Sequence, residues 1–206
     1  MMIVLLFLIG YFIGNINPAI VISKRLRGID IRAHNSKNAG TSNVTMTIGW
    51  SWGMTVLLID VAKGLIPALV VRILFPDIDL YWFVIGFGSV IGHIYPVFYG
   101  FKGGKGSATY GGVLFAVMPI YAAIMLAMYA LILLVFDYIV LSTVFVILIT
   151  PIVTYFMGFH WGSVLIMTLF TFLSLFKHRE NLIRLWKKEE VGIRKFHRNK
   201  DEIRVK

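Results

Sequence analysis

Long apolar stretches alternate with short polar ones along this chain, and the apolar stretches have bilayer length. A spanning helix needs about 20 mostly apolar residues. Residues 2–23, 50–74 and 81–99 meet that requirement. The polar segment after the first carries Lys24, Arg25, Arg27, Asp30, Arg32 and Lys37. The short connector after the second carries Asp77 and Asp79. From Ser107 to Phe176 the sole formal charge is Asp137. That region starts and ends beside basic segments, so it crosses an even number of times. Two crossings would leave residues 138–176 as one span, too long at about 1.5 Å rise per residue. Four crossings fit better, with breaks near Pro119, Asp137, Pro151 and Gly158–Gly162. The pattern predicts an all-α polytopic membrane protein with seven transmembrane helices. Five is the alternative, with one pair re-entrant. No internal repeat is visible, which argues against an inverted-repeat transporter.

Composition agrees. The chain has 206 residues, 58% of them hydrophobic, and a mean hydropathy of +0.82. We expect one integral membrane domain over residues 1–206, with a basic tail at 177–206. Residues 2–23 lack a basic leader and a small-residue cleavage site, so they read as a retained span. There is no cysteine, which excludes disulfides and thiol nucleophiles.

Charge then sets sidedness. The net charge is +10, and residues 177–206 hold eleven Lys/Arg against five Asp/Glu. Basic residues gather in the first loop, in the loop after the third span and in the tail. By the positive-inside rule the N-terminus lies outside and these three segments, with the C-terminus, lie in the cytoplasm. There they can converge on one site. The tail suits retention beside anionic lipid, and it has no recognisable nucleic-acid module, so no nucleic-acid partner is expected.

The third span ends in Gly92-His93-Ile94-Tyr95-Pro96-Val97-Phe98-Tyr99-Gly100-Phe101-Lys102-Gly103-Gly104-Lys105-Gly106. Glycines let backbone N–H groups approach a ligand, and Lys102 and Lys105 add positive charge, so the loop reads as a phosphate cradle. It lacks the spacing of a nucleotide-binding P-loop. The bland reading is a basic membrane edge. The first loop holds Asn35-Ser36-Lys37-Asn38-Ala39-Gly40-Thr41-Ser42-Asn43. Its hydroxyls and carboxamides suit turns and helix caps, or hydrogen bonds to a polyol or phosphate.

His93 is more simply a hydrogen-bonded structural residue than a catalyst. Asp60 and Lys63, three apart within a span, read as a structural ion pair. The alternative is that Lys63 reaches an anion at headgroup level. His178-Arg179-Glu180-Asn181 follows the last span and offers a base, a cation, an acid and a carboxamide. On a helix His178 and Asn181 share a face. It reads as a solvated helix start or as part of a site. His160 and His197 receive no role. No metal or other cofactor is expected, because no His/Asp/Glu cluster has ligand spacing.

Three of these segments resemble the bacterial acyl-phosphate-dependent glycerol-3-phosphate acyltransferases. Asp30-Ile31-Arg32 with Ser36, Asn38, Gly40 and Asn43 matches that family's first motif. Asp60-Val61-Ala62-Lys63-Gly64 with Pro67 resembles its second-span pattern. Gly92-His93, Pro96-Val97-Phe98, Phe101-Lys102-Gly103-Gly104-Lys105-Gly106 and Ala108-Thr109 match its second motif. His178-Arg179-Glu180-Asn181 with Arg184-Leu185 matches its third. The resemblance implies a seven-helix enzyme of the bacterial cytoplasmic membrane with its active site facing the cytoplasm. It would move an acyl chain from acyl phosphate to the 1-hydroxyl of glycerol 3-phosphate, giving lysophosphatidic acid for phospholipid synthesis.

The same resemblance implies roles. Lys105 and the Gly103, Gly104 and Gly106 amides would hold the donor phosphate. Ser36, His178 and Asn181 would hold glycerol 3-phosphate. Asn38, Asn43, Lys102, Lys63 and His93 join the substrate-binding set, and membrane lipid surrounds the acyl chain. His178 is a candidate general base, with the acceptor's own phosphate as the alternative. The resemblance departs at Met46, where the family usually has Arg three residues after the motif asparagine. Arginine grips phosphate bidentately and methionine cannot. Asn35 stands where glycine is usual, and Asn17 where proline is. Met46 motivates an alternative, a paralogue acylating another acceptor. A non-catalytic lipid-phosphate binder or flippase is the reading from a different class.

Overall fold

A computed structural model describes residues 1–192 and Arg194. The part of the basic tail beyond Arg194, His197 included, lies outside the described residues. Among those described, every regular element is helical. The helices are α1 (Met2–Gly14), α2 (Pro18–Arg27), α3 (Thr41–Thr47), α4 (Trp50–Leu74), α5 (Asp79–Ile94), α6 (Ser107–Val117), α7 (Pro119–Phe136), α8 (Ile139–Phe156) and α9 (Trp161–Trp186). Six segments are long and apolar enough to cross a membrane: Met2–Arg27, Trp50–Leu74, Asp79–Tyr99, Pro119–Phe136, Ile139–Phe156 and Trp161–Trp186. Large apolar side chains such as Leu58, Ile73, Ile120 and Phe156 point outward on them, as lipid contact requires.

The first of four crossings expected after Ser107 is shorter than a span. Helix α6 has 11 residues, about 16 Å of rise. It stops at Met118 because Pro119 opens a new helix at its first position, where a missing N–H costs nothing. The expected breaks at Asp137 and Gly158–Gly162 are present, and Asp137 and Gly158 both have left-handed φ, +69° and +76°. The expected break at Pro151 is absent: Pro151 lies inside α8. Proline there leaves the Ile147 carbonyl without its helical donor. The Thr171 hydroxyl of α9 donates to that carbonyl at 2.6 Å, so α8 continues.

The chain forms two compact units, one from Met1 to Val117 and the other beginning at Met118. In the first unit α1 and α5 touch backbone to backbone. A Cβ on Gly10 would sit 2.1 Å from the Ile85 carbonyl oxygen, and one on Gly92 2.0 Å from that of Tyr11. Helices α4 and α6 meet the same way at Gly64 and Gly112. Lipid tails are as apolar as leucine, so helices in a membrane gain from such close approach.

The first span is not one helix. It breaks at Asn15–Asn17, where the Asn17 side chain caps α2 by accepting from the Ile20 N–H at 3.1 Å. In the second unit the Tyr121 and Thr150 hydroxyls join α7 to α8 at 2.8 Å. The chain after α9 returns to the α7–α8 turn, where the Arg194 N–H donates to the Asp137 carboxylate at 3.0 Å.

Candidate active site

The first loop is organised from within by Asn43. Its carboxamide is fully buried and donates to the carbonyls of Ile31, His34 and Asn38 at 2.8, 3.0 and 2.9 Å. Asn35 donates to the Thr47 hydroxyl at 2.9 Å. These bonds hold a tight excursion with Ser36 exposed at its tip. Ser36 is flanked by two residues of left-handed backbone, Asn35 at φ +44° and Lys37 at φ +55°.

The glycine-lysine loop is sewn to the end of α5. The Gly103 and Gly104 N–H groups donate to the carbonyls of Ile94 and His93, both at 3.1 Å. The two amides read from the sequence as phosphate donors therefore already have acceptors. These glycines act through shape. A Cβ on Gly104 would lie 2.1 Å from His93 Nε2 and 2.7 Å from the Ala39 carbonyl oxygen. Ala39 belongs to the first loop, so the two loops are in contact through a glycine.

Arg32 joins the same loops more strongly. Its Nη1 donates to the Tyr99 carbonyl at 2.7 Å and the Lys102 carbonyl at 3.1 Å. Its other nitrogens face Asp30, with Nη2 to Oδ2 at 2.8 Å and Nε to Oδ1 at 3.0 Å. The hydrogen bonds from Arg32 hold the Asp30 carboxyl below the usual carboxylate range, and Asp30 in turn raises Arg32. Convergence of the first two basic segments, read from charge alone, is thus a direct contact.

Under the loops lies a buried ionic cluster. Lys63 Nζ is 2.6 Å from Asp60 Oδ1 and 2.7 Å from His93 Nδ1, and it donates to the Ile16 carbonyl at 2.8 Å. All three side chains are at most 5% exposed. Lys63 and His93 were placed among the substrate-binding residues by the sequence. Three acceptors surround the Lys63 ammonium, one per proton, and the pairing of Lys63 with Asp60 read from their spacing is present. The Ile16 carbonyl is the one opened by the break between α1 and α2.

In the second unit α9 carries the remaining group. His178 is buried, and its Nδ1 lies 2.9 Å from the Ser174 carbonyl oxygen. That bond puts the proton on Nδ1, so the neutral ring carries its lone pair on Nε2. Asn181 Nδ2 donates to Glu190 Oε1 at 2.6 Å, and Arg184 Nε to Glu190 Oε2 at 2.8 Å. The carboxylate of Glu190 thus fixes the orientation of the Asn181 amide.

The family model for glycerol-3-phosphate acyltransferase matches residues 4–188. The chain belongs to the glycerol-3-phosphate acyltransferase family. A glycerol-3-phosphate acyltransferase of Hydrogenobaculum sp. (strain Y04AAS1) is 37% identical over 190 residues, covering 90% of this chain and 94% of the relative. The enzyme of Bacillus subtilis (strain 168) is 32% identical over 194 residues, covering 94% and 99%. Among solved structures, the glycerol 3-phosphate form of the integral membrane glycerol 3-phosphate acyltransferase PlsY (YgiH) is 34% identical with a TM-score of 0.86, covering 93% of this chain and 95% of that one. Its lysophosphatidic acid form is 34% identical with a TM-score of 0.83, covering 92% and 94%.

Within this acyltransferase, the sequence-read residues fall into three groups. Ser36, Asn38, Lys102, Lys105 and Gly106 belong to the two joined loops, and His178 and Asn181 to one face of α9. Asn43, Gly103, Gly104, Lys63 and His93 hold or underlie the loops. Arg32, Asp60 and Glu190, which hold these groups in place, were not among the sequence-read site residues. Asp30-Ile31-Arg32 was visible as a motif, but its partners are backbone carbonyls some 70 residues away, which carry no side-chain signature.

Proposed function

We propose that this acyltransferase takes its acyl chain from acyl phosphate and delivers it to the 1-hydroxyl of glycerol 3-phosphate. The product is lysophosphatidic acid, and inorganic phosphate leaves. The hydroxyl oxygen attacks the acyl carbon, the acyl carbon–oxygen bond to phosphate breaks, and the hydroxyl proton passes to His178 Nε2. An acyl phosphate is already activated, so positioning and charge suffice without a covalent enzyme intermediate. Lys105, with Lys102 and the Gly106 amide, holds the donor phosphate. Ser36, Asn38, His178 and Asn181 hold the acceptor. The acyl chain lies among the spans, against membrane lipid.

The whole chain acts as one acyltransferase domain. It sits in the bacterial cytoplasmic membrane with seven crossings, α6 included. The N-terminus is outside, and the active site and basic tail are inside. In that topology the Asp137 turn and the chain after α9 share a side, in keeping with the bond between Arg194 and Asp137.

The observation that carries the reading is the Arg32 bridge. It brings the hydroxyl-bearing loop and the glycine-lysine loop into one place in a chain of this family. The test is phosphate release from palmitoyl phosphate by purified protein, with and without glycerol 3-phosphate, followed by identification of the lipid. Release that depends on glycerol 3-phosphate and yields lysophosphatidic acid supports it. Donor cleavage indifferent to glycerol 3-phosphate supports the second reading, a different acceptor. Met46 in α3, an apolar side chain on the helix that follows the Ser36 loop, favours that reading.

A further inference from the structure

We infer that Lys37 is the cation that binds the phosphate of the acceptor. The inference rests on the acceptor being a phosphomonoester, as proposed above. Between Gly28 and Gly49 the chain has two Lys/Arg side chains, Arg32 and Lys37. Arg32 is engaged by the Asp30 carboxylate and by two carbonyls of the neighbouring loop. Helix α3, which continues the loop, contributes no charge. Lys37 is exposed, and among the described residues its ammonium has no hydrogen-bond or ion-pair partner.

Its backbone is the second observation. Lys37 sits at φ +55° directly beside Ser36. Left-handed backbone is unfavourable for a side chain with a Cβ and natural for glycine. Asparagine tolerates it, which accounts for Asn35, but lysine has no such local hydrogen bond to offset it. Strain of this kind persists where the side chain does something that glycine cannot. Here that is to carry an uncommitted ammonium on the residue that follows Ser36. A dianionic phosphate held by Ser36 needs such a charge, and lysine is a mobile point charge suited to it.

The experiment compares Lys37→Gly and Lys37→Arg with wild type in the palmitoyl phosphate assay, varying glycerol 3-phosphate and donor separately. Losing one charge-assisted phosphate contact should raise the KM for glycerol 3-phosphate in Lys37→Gly by about ten- to a hundredfold. The donor KM should stay near wild type. Lys37→Arg should recover most of the affinity. Glycine suits φ +55°, so the thermal midpoint of Lys37→Gly should equal or exceed wild type, which separates lost binding from lost folding. Added salt should weaken acceptor binding in wild type more than in Lys37→Gly. An unchanged glycerol 3-phosphate KM in Lys37→Gly, with wild type active, overturns this inference alone. Wild type without glycerol-3-phosphate-dependent turnover overturns the acceptor reading and the inference with it.

Discussion

Removing the Arg32 bridge should disable the glycine-lysine loop, proposed above to hold the donor, while leaving the helices intact. Arg32→Met keeps the length and apolar stem of the side chain and deletes the guanidinium. Two bonds across the loops disappear, at 2.7 Å to Tyr99 and 3.1 Å to Lys102. A charge-assisted hydrogen bond contributes about 1.5–3 kcal/mol. The Arg32 side chain is 25% exposed, so solvent screening favours the lower figure, and the pair amounts to about 3 kcal/mol. At about 1.4 kcal/mol per factor of ten, that is roughly a hundredfold against the ordered loop. The bonds from Gly103 and Gly104 to α5 remain and retain part of the order. We therefore expect kcat/KM for palmitoyl phosphate to fall about thirty- to a hundredfold, chiefly through donor KM. The thermal midpoint in detergent should move by only a few degrees, since no core residue changes. Arg32→Lys should recover little, because an ammonium cannot face Asp30 bidentately and reach both carbonyls. A variant Arg32→Met with wild-type donor KM would refute the idea that this bridge shapes the loop.

Other substitutions probe the same architecture. Gly104→Ala would put a Cβ 2.1 Å from His93 Nε2 and 2.7 Å from the Ala39 carbonyl. It should separate the loops, abolish turnover and lower the thermal midpoint, and wild-type turnover would contradict the packing described. Thr171→Val removes the donor to the Ile147 carbonyl and should cost about 1–3 kcal/mol of stability. In a Pro151→Ala background, where the helix supplies its own donor, a denaturation series should show most of that cost gone. Asp30 is held below the usual carboxylate range by its hydrogen bonds from Arg32. The pair is therefore formed above the ordinary Asp value and is lost as pH falls through the lower folded one. Donor KM should therefore carry an acid limb that lies below the ordinary carboxylate range. In Asp30→Asn that acid limb should be missing, and an acid limb unchanged in this variant would assign it to another group.

Much of this was legible in the sequence because membranes impose simple rules. Span length and loop charge placed three membrane helices and brought the first two basic segments to one end. Pro119, Asp137 and Gly158 marked real helix boundaries. Pro151 did not, because the cost of proline depends on whether a neighbouring helix supplies a donor, and Thr171 lies 20 residues further on. The loop glycines were legible as points of close backbone approach but not in what they approach. Sequence shows that a backbone can come close, not whether it approaches a ligand or another carbonyl. Asp60 and Lys63 could be paired from their spacing, whereas His93 joins them from a different helix. Glu190 was hidden in a run of charges, and only the chain's return to α9 after Trp186 gives its carboxylate partners.

The break in the first span has a consequence for how the chain is made. Its Ile16 carbonyl waits for Lys63, and the Gly10 face of α1 waits for Ile85 and Ser89. At about 5–20 residues per second of synthesis, the lysine follows after roughly 2–10 s and the α5 face after roughly 4–15 s. During that interval the two asparagines of the break keep their local partners, the Tyr11 carbonyl and the Ile20 N–H, while the Ile16 carbonyl has not yet met the lysine it pairs with. The N-terminal span is thus an early-inserted but late-completed element. Its tertiary contacts form only once α4 and α5 have followed it in synthesis.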